Sequence, residues 1–161
     1  MDLPKGNSFY LEPGFIYFSK RPSTVRTVVG SCVAICLWDK KLRCGGMNHF
    51  IHPFTQEQEN ATPQYGNVAI AALVRIMEEA GCKRENMVAH VLGGAAPLGV
   101  FGDHVGRQNV SVAKEMLIRK GILIVGEDVG GHIGRKIAFD TATGQLAVLK
   151  VHQLRAEDWR V

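Results

Sequence analysis

Two long apolar runs dominate the pattern of hydrophobic and polar positions in the first third of the chain. They read "CVAICLW" (32–38) and "RCGGMNHFI" (43–51), and the short segment "DKKL" separates them. Near-continuous hydrophobicity of this length is typical of strands that are covered on both faces. The short polar interval indicates a tight turn with Lys40 and Lys41 at its tip. We therefore expect a buried antiparallel hairpin.

Helical and strand-like periods alternate along the rest of the chain. Thr62-Pro63 can start a helix and Gly81 can end it, with apolar residues at 70, 73, 74 and 77 on one face. A second helix is predicted over 107–120, burying positions 110, 113, 116 and 117. Strands are predicted over 87–92 and 122–125, and a hairpin over 135–151. The glycine-rich segments 93–102 and 126–134 are predicted to be a loop and a turn.

This order predicts the fold class. Hairpin, helix, strand, helix, strand and hairpin follow one another, which favours an α/β fold: a mixed-sheet α/β sandwich of two or three layers. With 161 residues the chain has the length of one domain, so a single domain over 1–161 is expected. Residues 1–26 are interpreted as an irregular N-terminal arm leading into the sheet.

Composition and charge narrow the function classes. Basic residues are scattered among acidic ones and the net charge is only +4, which argues against a nucleic-acid partner. No apolar run approaches the ~18 residues of a membrane span, and the N-terminus lacks the pattern of a secretory signal. Four cysteines without such a signal indicate reduced thiols. We expect a cytoplasmic protein without membrane insertion.

The spacing of Cys32 and His49 is the main chemical signal. If Lys40 and Lys41 close the hairpin, Cys32 lies directly opposite His49, on the same face and with Cα atoms about 4.5–5.5 Å apart. An imidazole at that position can accept the thiol proton and later protonate a leaving amine. Exposed backbone amides near Gly30, Ser31 and Cys32 can then hold an oxyanion. This arrangement suits acyl transfer at an amide.

Two other interpretations of the same residues stay open. Cysteine is among the most buried residue types, and a histidine near a strand end is often hydrogen-bonded scaffold. A metal site is the other alternative, because Cys32, Cys36, Cys44, His49 and His52 lie close in sequence. None of them has the spacing of a zinc motif, so no metal is expected. Cys36 is interpreted as a core residue, and Cys44 and Cys82 are interpreted as core or surface thiols.

Five motifs taken together give the chain a resemblance to a known family. They are "GSCVAICLWD", "GGMNHFIHP", "LGGAAPLGVF", "VGRQNV" and "GEDVGGHIGRKIAF…TG", spread from about Thr27 to Val151. In this order they resemble CheD, the chemoreceptor glutamine deamidases of bacterial and archaeal chemotaxis. The resemblance implies a fold similar to the catalytic domain of the cytotoxic necrotising toxins. It also implies hydrolysis of receptor glutamine side chains to glutamate, with no cofactor.

The resemblance also assigns roles to residues. Cys32 matches the family nucleophile, Gly30-Ser31 its approach, and His49 the family base. Thr27 is the nearest match to the third catalytic residue, although an ungapped alignment places Arg26 there. The alternative for Thr27 is a β-branched residue that begins a strand.

The resemblance further implies two partners. These are the cytoplasmic helical domains of chemoreceptors and a CheC-type phosphatase. Phe101, in an apolar stretch of loop, is a candidate contact for the phosphatase, and packing inward over the sheet is its alternative. A regulatory module that mainly binds CheC is the rival to catalysis. A cysteine hydrolase that also acts as a receptor methylesterase is a second rival.

Overall fold

The computed structural model describes residues 7–151. Nine strands, two α-helices and two short 3-10 helices lie within that range. The strands are β1 (Asn7–Tyr10), β2 (Ile16–Ser19), β3 (Ser23–Val29), β4 (Val33–Asp39), β5 (Cys44–Phe50), β6 (Met87–Gly93), β7 (Leu123–Val129), β8 (Gly134–Asp140) and β9 (Leu146–Val151); the α-helices are α1 (Gly66–Glu79) and α2 (Val105–Arg119). Neither helix combines the length and apolar character that crossing a membrane requires.

Three layers make up the architecture. One sheet has the strand order β1-β3-β8-β9 and the other has the order β2-β5-β4-β6-β7. Both sheets mix parallel with antiparallel pairs, since β1 runs parallel to β3 and β6 runs parallel to β7. Helices α1 and α2 pack against the five-stranded sheet. The predicted mixed-sheet α/β sandwich is confirmed.

The two hydrophobic cores lie on opposite sides of the five-stranded sheet. Val33, Ile35 and Leu37 of β4 pack with the helices. Ala34 and Cys36 instead pack toward the four-stranded sheet, beside β3 and β8 residues. Because side chains alternate along a strand, β4 supplies both cores at once. The prediction of strands covered on both faces is therefore confirmed.

The hairpin of β4 and β5 has a different register from the predicted one. Asp39 pairs with Cys44, so the connection has four residues (40–43) instead of two. The buried Asp39 carboxylate accepts from the amides of Lys41 and Leu42 at 2.9 and 2.8 Å, which stabilises the longer loop. His49 consequently lies opposite Ala34, not Cys32. The register shift is an even number of residues, so Cys32 and His49 stay on the same side of the sheet.

The prediction of an irregular N-terminal arm is wrong for the described part of 1–26. β1 pairs with β3, β2 pairs with β5, and β3 begins at Ser23. β1 and β2 have only four residues each, too few for an alternating pattern to be recognised. Their pairing partners lie in two different sheets, which local sequence does not encode.

Other boundaries differ by a few residues. α1 begins at Gly66 and not at Thr62-Pro63, because residues 62–65 form a turn in which the Tyr65 amide donates to the Thr62 carbonyl. It ends as predicted before Gly81, which has a φ of +102°. β7 continues through 126–129, which were predicted to belong to a turn, and only Gly130 and Gly131 adopt the positive φ of that turn.

Candidate active site

Cys32 lies where the chain crosses from one sheet to the other. The segment Gly30–Cys32 joins β3 of the four-stranded sheet to β4 of the five-stranded sheet. Its three carbonyls accept, in chain order, from the Ala95 amide, the Asn109 side chain and the Gly94 amide, each at 2.9 Å. A trans peptide holds its N–H opposite to its C=O. The amides of Ser31 and Cys32 are thereby turned away from these donors.

Glycines at the end of β6 allow this close approach. A Cβ on Gly93 would lie 2.3 Å from the Cys32 carbonyl oxygen, and one on Gly94 would lie 2.2 Å from a Val110 methyl group. Both glycines also have positive φ, which a side chain disfavours. The "LGGAAP" motif thus serves to bring the end of β6 against the segment that carries Cys32.

A cleft of roughly 340 Å³ lies beside this segment. Gly30 and Ser31 form part of its wall, together with the 95–97 loop. His104, Val105, His132 and Gly134 complete the lining. Both glycine-rich segments of the sequence therefore border the cleft, together with Gly30-Ser31. A substrate side chain entering it would arrive next to the residue that precedes Cys32.

Thr27 and His49 meet across the gap between the two sheets. The Thr27 hydroxyl lies 2.7 Å from Nδ1 of His49 and 2.8 Å from the carbonyl oxygen of Leu11. A hydroxyl has one proton and a carbonyl only accepts, so Thr27 donates to Leu11 and accepts from His49 Nδ1–H. Neutral His49 therefore carries its proton on Nδ1 and has a free lone pair on Nε2. Nε2 is buried and has no hydrogen-bond partner among the described residues.

Burial controls the protonation of both groups. His49 is fully buried, and burial lowers its pKa from 6.5 to about 4. Burial also raises the pKa of Cys32 above the ordinary 9.0, an effect that its own backbone amide opposes in part. Both groups are consequently neutral near pH 7. A resting thiol with a neutral imidazole suits proton transfer during attack, in contrast to a preformed thiolate–imidazolium pair.

This protonation state predicts how alkylation of Cys32 depends on pH. The iodoacetamide rate should rise continuously from pH 6 to beyond pH 9 with no plateau at neutral pH, because only the thiolate reacts. Peptide mass spectrometry of the alkylated protein measures the rate at Cys32. The buried thiols of Cys36, Cys44 and Cys82 serve as internal references that remain unmodified in the native protein. A rate plateau between pH 5 and 8 would instead indicate an ion pair.

The other cysteines lie away from Cys32 along the sheet. Cys36 is buried on β4, four residues after Cys32, and burial strongly raises its pKa. The sulfur atoms of Cys44 and Cys82 lie 3.6 Å apart at the opposite end of β4 and β5. Within residues 7–151, no three histidine, cysteine or acidic side chains converge so that they could hold a metal ion.

Phe101 projects into solvent. Its side chain is 89% exposed and Leu98, on the same loop, is 81% exposed. The inward-packing alternative for Phe101 is therefore wrong. A contact with a phosphatase remains a prediction for this residue.

Sequence reasoning missed Asn109 and Leu11. Asn109 is fully buried on α2, and its side chain contacts the segment that carries Cys32. A signal for it existed, since Asn109 lies four residues before the buried Ala113 and so on the apolar face of the helix. Leu11 contributes only a backbone carbonyl, for which a sequence carries no signal.

Comparison with known proteins places this chain in a family. Residues 52–150 match the model of the family described as CheD chemotactic sensory transduction. A relative from Sulfurimonas denitrificans is 39% identical over 147 residues, which cover 89% of this chain and 94% of the relative. The chain belongs to the CheD family. The resemblance seen in the sequence is confirmed.

Other CheD relatives are similar to this chain over comparable lengths. The protein from Rhodospirillum rubrum is 43% identical over 86% of this chain and 80% of its own length. One from Anaeromyxobacter dehalogenans is 41% identical over 84% of this chain and 80% of its own length. All three relatives are named probable chemoreceptor glutamine deamidases. The family-model match begins after Thr27, Cys32 and His49, so the roles of these residues rest on their geometry.

Proposed function

We propose that this CheD protein hydrolyses glutamine side chains of chemoreceptors to glutamate, with Cys32 as nucleophile and His49 as base. The observation that carries the proposal is the contact of Thr27 with His49 Nδ1, which leaves Nε2 free. That free acceptor lies on the side of the sheet that Cys32 shares. The names of the relatives supply the substrate class.

The proposed reaction has two halves. Cys32 Sγ attacks the glutamine Cδ while its proton passes to His49 Nε2, and the tetrahedral oxyanion is held by the amides of Ser31 and Cys32. Collapse breaks the C–N bond, and His49 gives its proton to the departing ammonia. Water then attacks the thioester, again losing a proton to His49, and glutamate leaves with the Cys32 thiol restored. The atoms balance without a cofactor.

The product differs from the substrate by one negative charge. A neutral amide on a receptor helix becomes a carboxylate, which changes repulsion between neighbouring helices. The cleft beside Gly30-Ser31 is the proposed entrance for the glutamine side chain.

Mass spectrometry of a receptor cytoplasmic fragment tests this function. Incubation with the protein should add roughly one mass unit per modified glutamine, as amide NH₂ is replaced by OH. A second fragment that carries methyl glutamate at the same positions measures methylesterase activity. Modification of the ester alone would favour a receptor methylesterase. No change in either fragment, across several receptors, would refute the hydrolase.

A regulatory contact with a CheC-type phosphatase is a second proposed function. The exposed Leu98 and Phe101 favour it, because two large apolar side chains in water are typical of a protein contact. Phe101→Glu should then weaken binding to CheC by at least about tenfold, a loss common for central interface residues. Equal affinity of Phe101→Glu and the wild type would exclude this contact.

Thr27→Val tests the proposed role of Thr27. Valine keeps the shape and the strand preference but removes the acceptor of His49 Nδ1–H, so both histidine tautomers become accessible. We expect kcat for deamidation to fall by about 10²-fold with little change in KM. The control is Thr24→Val, which replaces another buried threonine of β3. Thr27→Ser should restore much of the rate; full activity of Thr27→Val would argue that the threonine is only a strand residue.

A further inference from the structure

A single side chain of α2 joins the two chain segments that carry Cys32 and His49. Asn109 is fully buried, and its Nδ2 donates to the Ser31 carbonyl at 2.9 Å and to the Ile51 carbonyl at 3.0 Å. Ser31 immediately precedes Cys32, and Ile51 follows His49 by two residues. Both protons of one amide group are thus used to hold the two halves of the site together.

The bond to Ser31 has a direct consequence for Cys32. The Ser31 carbonyl and the Cys32 N–H belong to the same planar peptide group. Fixing the carbonyl toward Asn109 therefore fixes the direction of the Cys32 amide. A hydrogen bond from that amide to the Cys32 sulfur lowers the pKa of the thiol. The same amide is one of the two oxyanion donors proposed above. Its direction matters for both halves of the reaction.

The acceptor side of Asn109 is different. Its Oδ1 is buried and has no hydrogen-bond partner among the described residues. The donors of Asn109, not its acceptor, make the contacts with the site. A buried acceptor without a hydrogen bond lowers the stability of the fold. The two hydrogen bonds that Nδ2 donates are therefore the contribution of Asn109 that offsets this loss. Aspartate would have the same shape and would place an oxygen against two carbonyl oxygens.

We propose that Asn109 is a positioning residue for glutamine deamidation, holding the Cys32 amide and thiol in register with His49. This inference rests on the proposed function. Asn109 acts through Ser31 and Ile51 and has no contact with substrate in this scheme. A purely structural asparagine would affect stability alone, whereas a positioning residue also changes the chemistry of Cys32.

Asn109→Asp is the variant that tests the proposal, and Leu117→Ala is its control. Leu117 is fully buried on the same helix but lies two turns further on, among core residues. Its truncation leaves a cavity in the core and should lower the melting temperature without touching Ser31 or Ile51. Comparing the two variants at a temperature where both are folded separates lost stability from lost positioning. Asn109→Ser, which is smaller and neutral, is measured beside Asn109→Asp, because an aspartate near Cys32 also raises the pKa of the thiol through its negative charge. Asn109→Ser also serves as the test if the aspartate variant does not fold.

Two measurements are made on each variant. For Asn109→Asp we expect kcat on a receptor fragment to fall by about 10²-fold with KM changed by less than about twofold. We also expect iodoacetamide alkylation of Cys32 at pH 7 to slow by about threefold or more in both Asn109→Asp and the neutral Asn109→Ser, because the misdirected amide no longer stabilises the thiolate. Leu117→Ala should match the wild type in both measurements.

The outcomes separate the two proposals. If wild-type protein deamidates receptors but Asn109→Asp behaves like Leu117→Ala in kcat or in alkylation, the positioning role is wrong. Faster alkylation in Asn109→Asp would also overturn it, since that indicates mere exposure of the thiol. If the wild type modifies no glutamine while Cys32 alkylation still depends on Asn109, the proposed function fails and the positioning of the thiol stands.

Discussion

Replacing Cys32 by alanine is expected to lower the deamidation rate by about 10⁴-fold or more. Alanine removes the only atom that forms the covalent bond to substrate in the proposed reaction, and losses of this size follow removal of a nucleophile. The side chain of Cys32 is only partly buried, so its truncation should leave the fold intact. Deamidation of a receptor fragment, followed by peptide mass spectrometry, measures the rate, and thermal unfolding verifies the fold.

Cys36→Ala is the matched control for this variant. Cys36 lies on the same side of β4 as Cys32 but is buried in the core between the sheets. The Cys36→Ala variant should lose some stability because of the small cavity, and it should keep the wild-type deamidation rate within a few-fold. Residual activity of Cys32→Ala above about one percent of the wild type would contradict a covalent route.

Replacing His49 by glutamine is expected to lower kcat by about 10³-fold. Glutamine fills most of the same volume but accepts no proton at neutral pH, so the thiol of Cys32 must ionise unaided. Since burial raises the pKa of Cys32, this unaided route should be faster at higher pH. The kcat of His49→Gln should therefore climb from pH 7 to pH 10 more steeply than that of the wild type.

His90→Gln controls for the loss of a histidine from the same sheet. His90 lies on β6, is partly buried, and burial lowers its pKa too. Its ring lies against Gly126 of β7, and His90 pairs with Cys36 of β4. This variant should retain the wild-type rate and pH profile. Parallel pH profiles for His49→Gln and the wild type would show that His49 is scaffold and not a base.

The hairpin illustrates what the sequence could and could not predict. The apolar runs were sufficient to place β4 and β5 and to put Cys32 and His49 on one side of the sheet. They were not sufficient for the register, because the Asp39 carboxylate stabilises a four-residue connection that "DKKL" does not distinguish from a two-residue turn. The prediction that Cys32 and His49 lie on the same face of the sheet still held, because the register shift is an even number of residues.

Contacts between distant segments of the chain could not be predicted from the sequence. The Leu11 carbonyl orients the Thr27 hydroxyl, and Leu11 follows a four-residue strand without periodicity. Asn109 reaches Ser31 from 78 positions further along the chain. Such contacts arise from the packing of three layers, and a single sequence read locally contains no record of them. Spacing and the resemblance to CheD supplied the candidate residues Cys32 and His49, and the structure adds the contacts of Thr27 with His49 and of Asn109 with Ser31.

Trapping with hydroxylamine tests the central claim most directly. A thioester at Cys32 should partition between water and hydroxylamine, so receptor glutamines modified by the wild type should appear partly as glutamyl hydroxamate, in a proportion that rises with hydroxylamine concentration. Cys32→Ala serves as the control for uncatalysed aminolysis and should give none. Glutamate as the sole product at every hydroxylamine concentration would contradict the covalent cysteine mechanism.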